Sequence, residues 1–318
     1  LDAGIILDEK PNGIPVCSDL AEALTLAAGI PDWFIFGMAP SSGMLSPLER
    51  TIVLDAISTG MGIVNGLHEF LNDDAEFVAA SVAANVTILD VRRPRPKKDL
   101  RIFSGRIFDV TCPRIAVLGT DGAIGKRTTA TVLTQALNDA GIRAVLVGTG
   151  QTSIIQGAKY GVALDAIAPQ FCSGEMEAAV VDAFEVEDPD VIVVEGQGAL
   201  SHPAYLTSAY ILRGSQPAGV ILQHAPKREM LSDFPTLSMP TPASEINLIE
   251  TFAPTKVIGL TINHERMSPT EVDASIVSYE RELGIPVTDA LTHSPDRLVA
   301  MVRAAFPELE TRNSAAVG

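Results

Sequence analysis

The sequence predicts an α/β protein of two domains, each built on a parallel sheet. Short apolar segments alternate with segments of helical character along most of the 318 residues. Hydrophobic residues make up 47% of the chain and aromatic residues only 5%, which favours buried parallel strands rich in Val, Ile, Leu and Ala. The third observation is a glycine-rich turn, 119–125, that joins an apolar segment to a helical one.

Residues 1–108 are predicted to form a first, Rossmann-like domain. Five short segments are expected to be extended: 3–7, 13–16, 33–37, 62–64 and 86–89. Three segments are expected to be helical: 19–28, 46–59 and 73–85. The second of these helices has a start signal, because Pro47 follows Ser46 and Glu49 comes within the first turn. Ligands of parallel sheets bind at the carboxyl ends of the strands, so the polar loops there are candidates for binding.

His68 and Arg92 are the residues of this domain that we consider for substrate binding. His68 lies in the loop after the segment 62–64, where it is either a substrate contact or base, or a histidine that caps a turn or packs in the core. Arg92 opens the basic, proline-containing stretch 92–98. That stretch is either a phosphate-binding patch or a solvated linker, since proline interrupts helices and strands.

Residues 109–318 are predicted to form a second α/β domain, preceded by a small hairpin at 99–110. Seven segments are expected to be strands: 114–118, 143–147, 163–168, 190–195, 219–222, 257–264 and 284–287. Three segments are expected to be helices: 130–140, 174–184 and 296–305.

The segment from Gly119 to Thr129 is predicted to bind phosphate. A glycine-rich turn between a strand and a helix lets backbone N–H groups surround an anion, and the helix N-terminus adds partial positive charge. In the usual loop roughly four residues separate the first glycine from Gly-Lys-Ser/Thr. Here five residues separate Gly119 from Gly125, and Lys126 supplies the charge for the phosphates. The alternative is a turn that only lets a strand pack close to a helix.

Arg127 occupies the place at which such loops carry the hydroxyl that binds Mg²⁺, and the hydroxyl arrives one residue later, at Thr128. This displacement weakens the prediction of ordinary Mg-ATP hydrolysis more than that of phosphate binding. The extra cation suits a ligand with several phosphates, and we expect no metal ion at the site. A polar loop, 148–153, is expected to face the phosphate loop. The residues predicted to bind the phosphate-containing ligand are Gly119, Thr120, Asp121, Gly122, Gly125, Lys126, Arg127, Thr128, Thr129, Gln151 and Asn263.

Glu195 and His202 are the predicted catalytic residues. Glu195 ends the buried segment 190–195, which is placed like a Walker B strand. Its carboxylate acts as a base or binds Mg²⁺ through water, or else it is a structural acid that ties loops together. His202 follows in a loop beside Pro203, away from any apolar helical stripe, and this favours acid–base chemistry over a packed core histidine.

Polar groups further along the chain have alternative interpretations. Lys227 and Arg228 form either an anion-binding pair or a solvated surface pair. Asn263 either reads the edge of a nucleobase or caps the turn after its strand.

Charge and cysteine content exclude several classes of function. The formal net charge of −16 argues against nucleic acid or an anionic membrane as the main partner. Three cysteines lie far apart without metal-ligand spacing, and we expect reduced thiols in a cytoplasmic protein. No apolar run approaches the roughly 18–20 residues that span a bilayer, and no signal peptide is visible. The chain starts at Leu1 and not at a methionine, so the question of whether further residues or a leader precede it stays open.

The phosphate loop resembles that of dethiobiotin synthetase, including the five-residue gap between Gly119 and Gly125. The strand end at Val193–Gly196 is similar to the Val-Glu-Gly strand end of that enzyme, and Asn263 is similar to its base-reading asparagine. The chain departs from that enzyme at Arg127, where the family has its metal-binding threonine.

A second resemblance covers nearly the whole chain. The segments that carry it are 66–71, 90–92, 119–129, 148–152, 194–198 and 202–205. By these segments the chain is identified as a member of the P-loop family, long labelled as of unknown function, that includes D-glutamate N-acetyltransferase. The resemblance implies acetyl-CoA as donor and the amino group of D-glutamate as acceptor.

On this resemblance the leading hypothesis is an acyl-CoA-dependent N-acyltransferase. For a protein of this size we expect a homodimer. Glu195 or His202 would remove a proton from the substrate ammonium, and backbone N–H groups of 196–198 would stabilise the oxyanion. The residues expected to contact the acceptor are His68, Arg92, Gly196, Gln197, Gly198 and Tyr205. Two other hypotheses stay open, an ATP-dependent, Mg²⁺-dependent ligase and a nucleotide-binding regulatory protein.

Overall fold

The computed structural model describes residues 1–40 and 42–309, without the side chains of Leu7 and Asp8. Contacts within the chain divide it into two compact units, Leu1–Arg93 and Pro94–Gly318. The boundary predicted from the sequence is at residue 108. In the part of the chain that the structure describes, no helix is both long and apolar enough to cross a membrane.

The first unit contains a three-stranded parallel sheet with strand order β1-β2-β3. Its strands are Trp33–Phe36 (β1), Gly62–Asn65 (β2) and Ile88–Asp90 (β3). Its helices are Ala3–Asp8 (α1), Leu20–Leu26 (α2), Pro47–Ser58 (α3) and Ala75–Ala84 (α4). The start signal in the sequence is confirmed, since Ser46 caps α3 and Glu49 completes a capping box. Its core contains buried Val53, Ile57, Ile63, Leu71 and Phe77.

The second unit contains a seven-stranded sheet, all of it parallel, with strand order β10-β9-β8-β4-β7-β5-β6. Its strands are Arg114–Gly119 (β4), Ala144–Gly148 (β5), Tyr160–Gly161 (β6), Val191–Glu195 (β7), Gly219–His224 (β8), Lys256–Ile262 (β9) and Val287–Thr288 (β10). Its helices are Lys126–Asp139 (α5), Gln151–Ile155 (α6), Pro169–Glu187 (α7), Thr207–Ser215 (α8), Pro242–Phe252 (α9), Pro269–Leu283 (α10) and Asp296–Ala305 (α11).

Helices cover both faces of this sheet, so that two apolar clusters form its core. Residues of β4 alternate between the clusters, with Ala116 and Leu118 in one and Ile115 and Val117 in the other. Alternation of this kind follows from the two-residue period of a strand. The predicted α/β class with parallel sheets is confirmed.

Four predicted elements are wrong or displaced. The strand predicted at 284–287 begins only at Val287, because Gly284 ends α10 in a left-handed conformation. Residues 3–7 form α1 and not a strand, because the carboxylate of Asp2 accepts hydrogen bonds from the N–H groups of Gly4 and Ile5 and so caps a helix. The short strand predicted at 163–168 lies instead at β6, and Leu164–Ala166 forms a 3₁₀ turn.

The predicted hairpin at 99–110 is absent from the described structure, where 3₁₀ turns cover Lys97–Asp99 and Arg106–Asp109. The backbone N–H groups of this segment bind buried carboxylates of α7 and not a partner strand. Arg101 donates to Glu175, and Ser104 and Ile107 donate to Glu177. The segment is therefore fixed by α7.

Candidate ligand-binding and active site

The register of the second sheet brings three strand ends to one edge. Val117 of β4 pairs with Glu195 of β7, and Gly119 of β4 pairs with Gln223 of β8. The phosphate loop, which we define as residues 119–126, therefore begins between Glu195 and Gln223. Parallel sheets bind ligands at this edge.

The phosphate loop turns directly into α5. Gly125 is the N-cap residue of the helix and has φ 103°, a left-handed conformation that favours glycine. The first turn of the 14-residue α5 contains no acidic residue. No acidic side chain in this turn neutralises the partial positive charge of the helix N-terminus, which is therefore suited to binding an anion.

Arg228, in the segment that follows β8, forms hydrogen bonds to the phosphate loop. Its guanidinium donates to the Asp121 carboxylate (3.0 Å), to the carbonyl of Gly122 (2.9 Å) and to Glu265 (2.9 Å). Asp121 is fully buried and also accepts from the backbone N–H of Ser232 (2.9 Å). Arg228 thus neutralises a buried carboxylate and is occupied by the loop; it is not a solvated surface residue.

Lys126 lies inside the loop, 5% exposed, and its Nζ donates to the carbonyl of Asp121. Burial lowers the pKa of Lys126 to about 8, although the carboxylates of Asp121 and Glu195 oppose that shift. A buried ammonium beside a helix N-terminus is stabilised by an anionic ligand.

The three residues after Lys126 have different environments. Arg127 donates to the side chain of Gln156. Thr129 is buried, and its hydroxyl donates to the side-chain oxygen of Gln223 (2.6 Å). Thr128 lines the cavity that is described below.

Glu195 is oriented by the loop after β5. Its Oε2 accepts hydrogen bonds from the backbone N–H of Thr149 (2.8 Å) and the hydroxyl of Ser153 (2.7 Å). Among the described residues no hydrogen bond reaches its Oε1. The side chain is 6% exposed, and it lines a cavity. One carboxylate oxygen is thus anchored, and the other is available to a ligand.

A cavity of about 440 Å³ lies between the phosphate loop, the start of α6 and the segment after β7. Nine of the predicted site residues line it: Gly125, Lys126, Arg127, Thr128, Gln151, Glu195, Gly196, Gln197 and Gly198. Four others form the loop without lining this cavity: Gly119, Thr120, Asp121 and Gly122. The cavity therefore places cations and a carboxylate around one volume.

A second, smaller cavity of about 110 Å³ shares Ile124, Gly125 and Thr128 with the first. Thr129 and Asn263 line it, together with Asp289 from the far end of the sheet. Asn263 donates from Nδ2 to the carbonyl of Ile124 (3.1 Å) and accepts at Oδ1 from the N–H of Glu265 (2.8 Å). The amide therefore caps the turn after β9 and lies beside the phosphate loop.

The segment 196–206 after β7 is held by backbone and side-chain contacts. Gly196 passes so close to β4 that a Cβ would collide with the carbonyl of Val117. Gln197 donates from Nε2 to the carbonyl of Thr149. Glu245 of α9 is buried and accepts from the N–H of Leu200 (2.5 Å) and from the hydroxyl of Ser201 (2.6 Å). Burial raises the pKa of Glu245.

His202 and Tyr205 stack in this segment and do not line either of the two cavities. The hydroxyl of Tyr205 donates to Asp233 (2.8 Å). His202 is 4% exposed, and burial lowers its pKa below the ordinary value.

His68 and Arg92 lie in the first unit, in the loops after β2 and β3. Arg92 is buried and donates from Nε to the carbonyl of Gly66 (2.7 Å). His68 is exposed, and partial burial and the charge of Arg92 lower its pKa. Asp90, which ends β3, accepts from Asn65 and from the N–H of Leu71 and so holds this end of the sheet together.

Sequence reasoning missed Glu245 and Gln223 and left the role of Arg228 open. Arg228 lies 107 residues from Asp121 along the chain, and Glu245 lies on a helix that was not predicted. The one available signal was the acid in the first turn after Thr241 and Pro242, which is typical of a helix start.

The fold and the loop define the second unit as a P-loop domain and the first as a Rossmann-like domain. Residues 1–94 match the Rossmann-like domain DUF1611_N, and residues 101–299 match the P-loop domain DUF1611_C; both are described as domains of unknown function. The chain belongs to the DUF1611 family, and the resemblance stated from the sequence is confirmed.

Two curated relatives and one solved structure are similar over most of the chain. A D-glutamate N-acetyltransferase from Pseudoalteromonas is 31% identical over 91% of this chain and 85% of its own length. A protein of the same name from Tritonibacter scottomollicae is 28% identical over 85% and 80%. The crystal structure of a DUF1611 family protein from Anabaena variabilis superposes with a TM-score of 0.84, at 29% identity, over 92% of this chain and 84% of that one.

Proposed function

We propose that this protein is an N-acyltransferase that moves an acetyl group from acetyl-CoA to the amino group of an amino acid, D-glutamate being the acceptor. The names of the two curated relatives support the reaction and the acceptor. The observation that carries the proposal is the 440 Å³ cavity, in which Lys126 and Arg127 face the same volume as the carboxylate of Glu195.

The phosphate loop fits the phosphates of CoA. The N-terminus of α5, Lys126 and Arg127 supply positive charge. In this proposal the adenine end of CoA occupies the smaller cavity beside Asn263, which adjoins the phosphate loop through Gly125 and Thr128. CoA carries its phosphates without needing a metal ion, which suits a loop that has Arg127 in place of the usual Mg²⁺-binding hydroxyl.

Glu195 is the base in this proposal. Its Oε1 takes a proton from the substrate ammonium, so that the amine nitrogen forms a bond to the acyl carbon. The carbon–sulfur bond then breaks, the sulfur leaves with that electron pair, and it takes up the second proton that the nitrogen releases, so that the products are the amide and the thiol of CoA. Backbone N–H groups of 196–198 lie next to Glu195 along the cavity, where they stabilise charge on the acyl oxygen.

The contacts to the acceptor stay a prediction. They rest on the resemblance and involve His68, Arg92 and Tyr205. The expected homodimer and the expected cytoplasmic location likewise stay predictions.

One observation favours the ligase as the second candidate. Thr128 and Glu195 line the same cavity, and a hydroxyl and a carboxylate supply oxygen ligands that Mg²⁺ accepts. An enzyme of this kind would bind Mg-ATP at the phosphate loop and activate a carboxylate.

Calorimetric titration with CoA and, separately, with ATP separates the two candidates when each is run with and without Mg²⁺. We expect CoA to bind without metal and to lose most of its affinity in Lys126→Ala. The matched control is Lys159→Ala, which removes an exposed lysine that pairs with Glu187. Binding of ATP that requires Mg²⁺, with no heat from CoA, would overturn the proposal and favour the ligase.

A further inference from the structure

Gln223 lies at the carboxyl end of β8, beside the phosphate loop. Its backbone is fixed there, because it pairs with Gly119 of β4 and its carbonyl accepts a hydrogen bond from the N–H of Thr120 (3.1 Å). The side chain is 3% exposed and lines the smaller cavity. The sheet therefore places a buried amide at the wall of a cavity that adjoins the phosphate loop.

Two hydroxyl groups fix the orientation of this amide. Oε1 of Gln223 accepts from the hydroxyl of Thr129 (2.6 Å) and from the hydroxyl of Thr261 (2.5 Å). Both distances are shorter than those of N–H···O hydrogen bonds and lie within the range of O–H···O hydrogen bonds. The oxygen of the amide and not its nitrogen therefore faces the two threonines, and the NH₂ group lies on the opposite side.

The nitrogen of this amide has no acceptor in the described structure. Among the described residues none accepts a hydrogen bond from Nε2 of Gln223. The point that a Cβ would occupy at Gly125 lies 3.7 Å from this Nε2 and 3.9 Å from Nδ2 of Asn263. Gly125 lines both cavities. A buried donor is unfavourable unless it is paired, so an acceptor from a ligand beside Gly125 would stabilise this N–H group.

The other polar groups of the smaller cavity favour an uncharged acceptor. Among the described residues no lysine or arginine lines this cavity, whereas Lys126 and Arg127 line the larger one. The carboxylate of Asp289 is already bound by Nδ1 of His264 (2.6 Å) and by the N–H of Leu291 (2.8 Å). The charges thus favour phosphates in the larger cavity and a neutral group in the smaller one. The ring nitrogens of adenine are neutral acceptors of this kind.

We propose that Gln223 gives the protein its preference for an acyl donor with an adenosine end, because its Nε2–H donates a hydrogen bond to a ring nitrogen of adenine. The inference rests on the proposed N-acyltransferase function, in which the adenine end of CoA occupies the smaller cavity. Since Thr129 and Thr261 hold Oε1 before the ligand arrives, the donor loses little conformational freedom on binding. Gln223 acts on binding and takes no part in the transfer of the acetyl group.

Three ligands locate this contact by calorimetry: CoA, dephospho-CoA, which lacks the 3′-phosphate, and 4′-phosphopantetheine, which lacks the adenosine end. In Gln223→Met we expect the Kd for CoA and for dephospho-CoA to rise by about 3–10-fold, as for the loss of one neutral hydrogen bond. The Kd for 4′-phosphopantetheine should not change. Gln223→Glu keeps the acceptor for both threonines and replaces the donor with an oxygen, so it should weaken CoA binding further.

The matched control is Gln135→Met, which removes an exposed glutamine of α5 that donates to Asp139 and should leave all three Kd values unchanged. An equal loss of 4′-phosphopantetheine binding in the Gln223 variants would show that they only disturb the phosphate loop. A loss confined to CoA would assign the contact to the 3′-phosphate, and an unchanged Kd for CoA would remove the contact altogether. Each of these results would overturn this inference alone, whereas a wild-type protein that binds none of the three ligands would overturn the proposed function as well.

Discussion

At the scale of residues, Lys126 shows how the site couples charge to binding. Its ammonium is charged at an energetic cost in the ligand-free protein, because burial lowers its pKa from 10.5 to about 8. Between about pH 8 and 10.5 the folded protein has released this proton and the unfolded chain has not, so the contribution of Lys126 to stability rises with pH there. A bound phosphate should raise the pKa of Lys126 again, since its negative charge favours the charged ammonium.

The affinity for CoA should therefore depend on pH with a definite sign. We expect the Kd to be constant between about pH 7 and 8, where the phosphates of CoA are ionised. Above about pH 8 the affinity should fall, by at most about tenfold per pH unit, because only the charged Lys126 attracts phosphate. Calorimetry over a pH series measures this. In Lys126→Met binding should be weak, and this component of the pH dependence should vanish. A wild-type affinity that rises above pH 8 would contradict the role of Lys126.

A substitution of Glu195 should lower turnover without changing the affinity for CoA. In Glu195→Gln we expect kcat to fall by roughly 10²–10⁴-fold with the Kd for CoA unchanged, because an amide cannot take the proton from the ammonium. Steady-state kinetics and calorimetry check the two quantities. Glu185→Gln is the control, since it removes an exposed carboxylate that pairs with Arg106. If the CoA affinity fell as far as kcat, Glu195 would be a structural acid and not a base.

At the scale of elements, α7 fixes the segment 94–109 by close packing and buried carboxylates. Gly174 of α7 faces that segment, and a Cβ there would collide with the backbone of Arg101, Ile102 and Phe103. Overpacking against a backbone costs about 1–3 kcal/mol or more.

Gly174→Ala should therefore lower the free energy of unfolding by at least that amount. Denaturant unfolding followed by circular dichroism measures it. Gly29→Ala is the matched control, because its Cβ would meet nothing within 4 Å, and we expect a change within about 0.5 kcal/mol. Equal effects at the two glycines would show that the close approach to 101–103 does not limit stability.

The elements that could be predicted from the sequence are those whose start or end is set by neighbouring residues in the chain. The start of α3 was found from Ser46, Pro47 and Glu49, and the same pattern at Ser268, Pro269 and Glu271 begins α10, which was overlooked. The error at 3–7 arose because a short apolar run fits a strand as well as a helix, and the cap at Asp2 decided between them. The prediction of a hairpin at 99–110 was wrong because backbone N–H groups of this segment donate to carboxylates of α7, which are distant in sequence, and not to a partner strand.

The same distinction applies to the site. The phosphate loop and Glu195 were predictable because each lies at the end of an apolar strand, and parallel strands bring their ends together. Arg228 and Glu245 act on the loop and on the segment after β7 through contacts distant in sequence. No local pattern in the sequence encodes such contacts, so sequence analysis alone could not predict them.

At the scale of the whole molecule, the site is a local positive region in a protein of net charge −16. Long-range repulsion therefore opposes an anionic ligand, and the short-range groups of the loop must overcome it. Ligand binding should therefore slow hydrogen exchange mainly at the phosphate loop and at the segments that line its cavity.

Hydrogen exchange over the full chain tests where CoA binds. We expect CoA to slow hydrogen exchange at 119–129, 149–153 and 196–200, because a ligand that binds these segments stabilises their folded state against local opening. The strands β1, β2 and β3 serve as an internal control, and their exchange should not change. Protection centred on those strands would contradict binding at the phosphate loop.

The most direct test of the central claim is a turnover measurement with acetyl-CoA and D-glutamate, with L-glutamate and a D-amino acid lacking the second carboxylate as comparisons. We expect the N-acetylated amino acid, identified by mass spectrometry, and free CoA thiol in equal amounts, without ATP or Mg²⁺. No acetylated product from any of these amino acids, together with ATP cleavage that depends on Mg²⁺ and a carboxylate substrate, would contradict the claim.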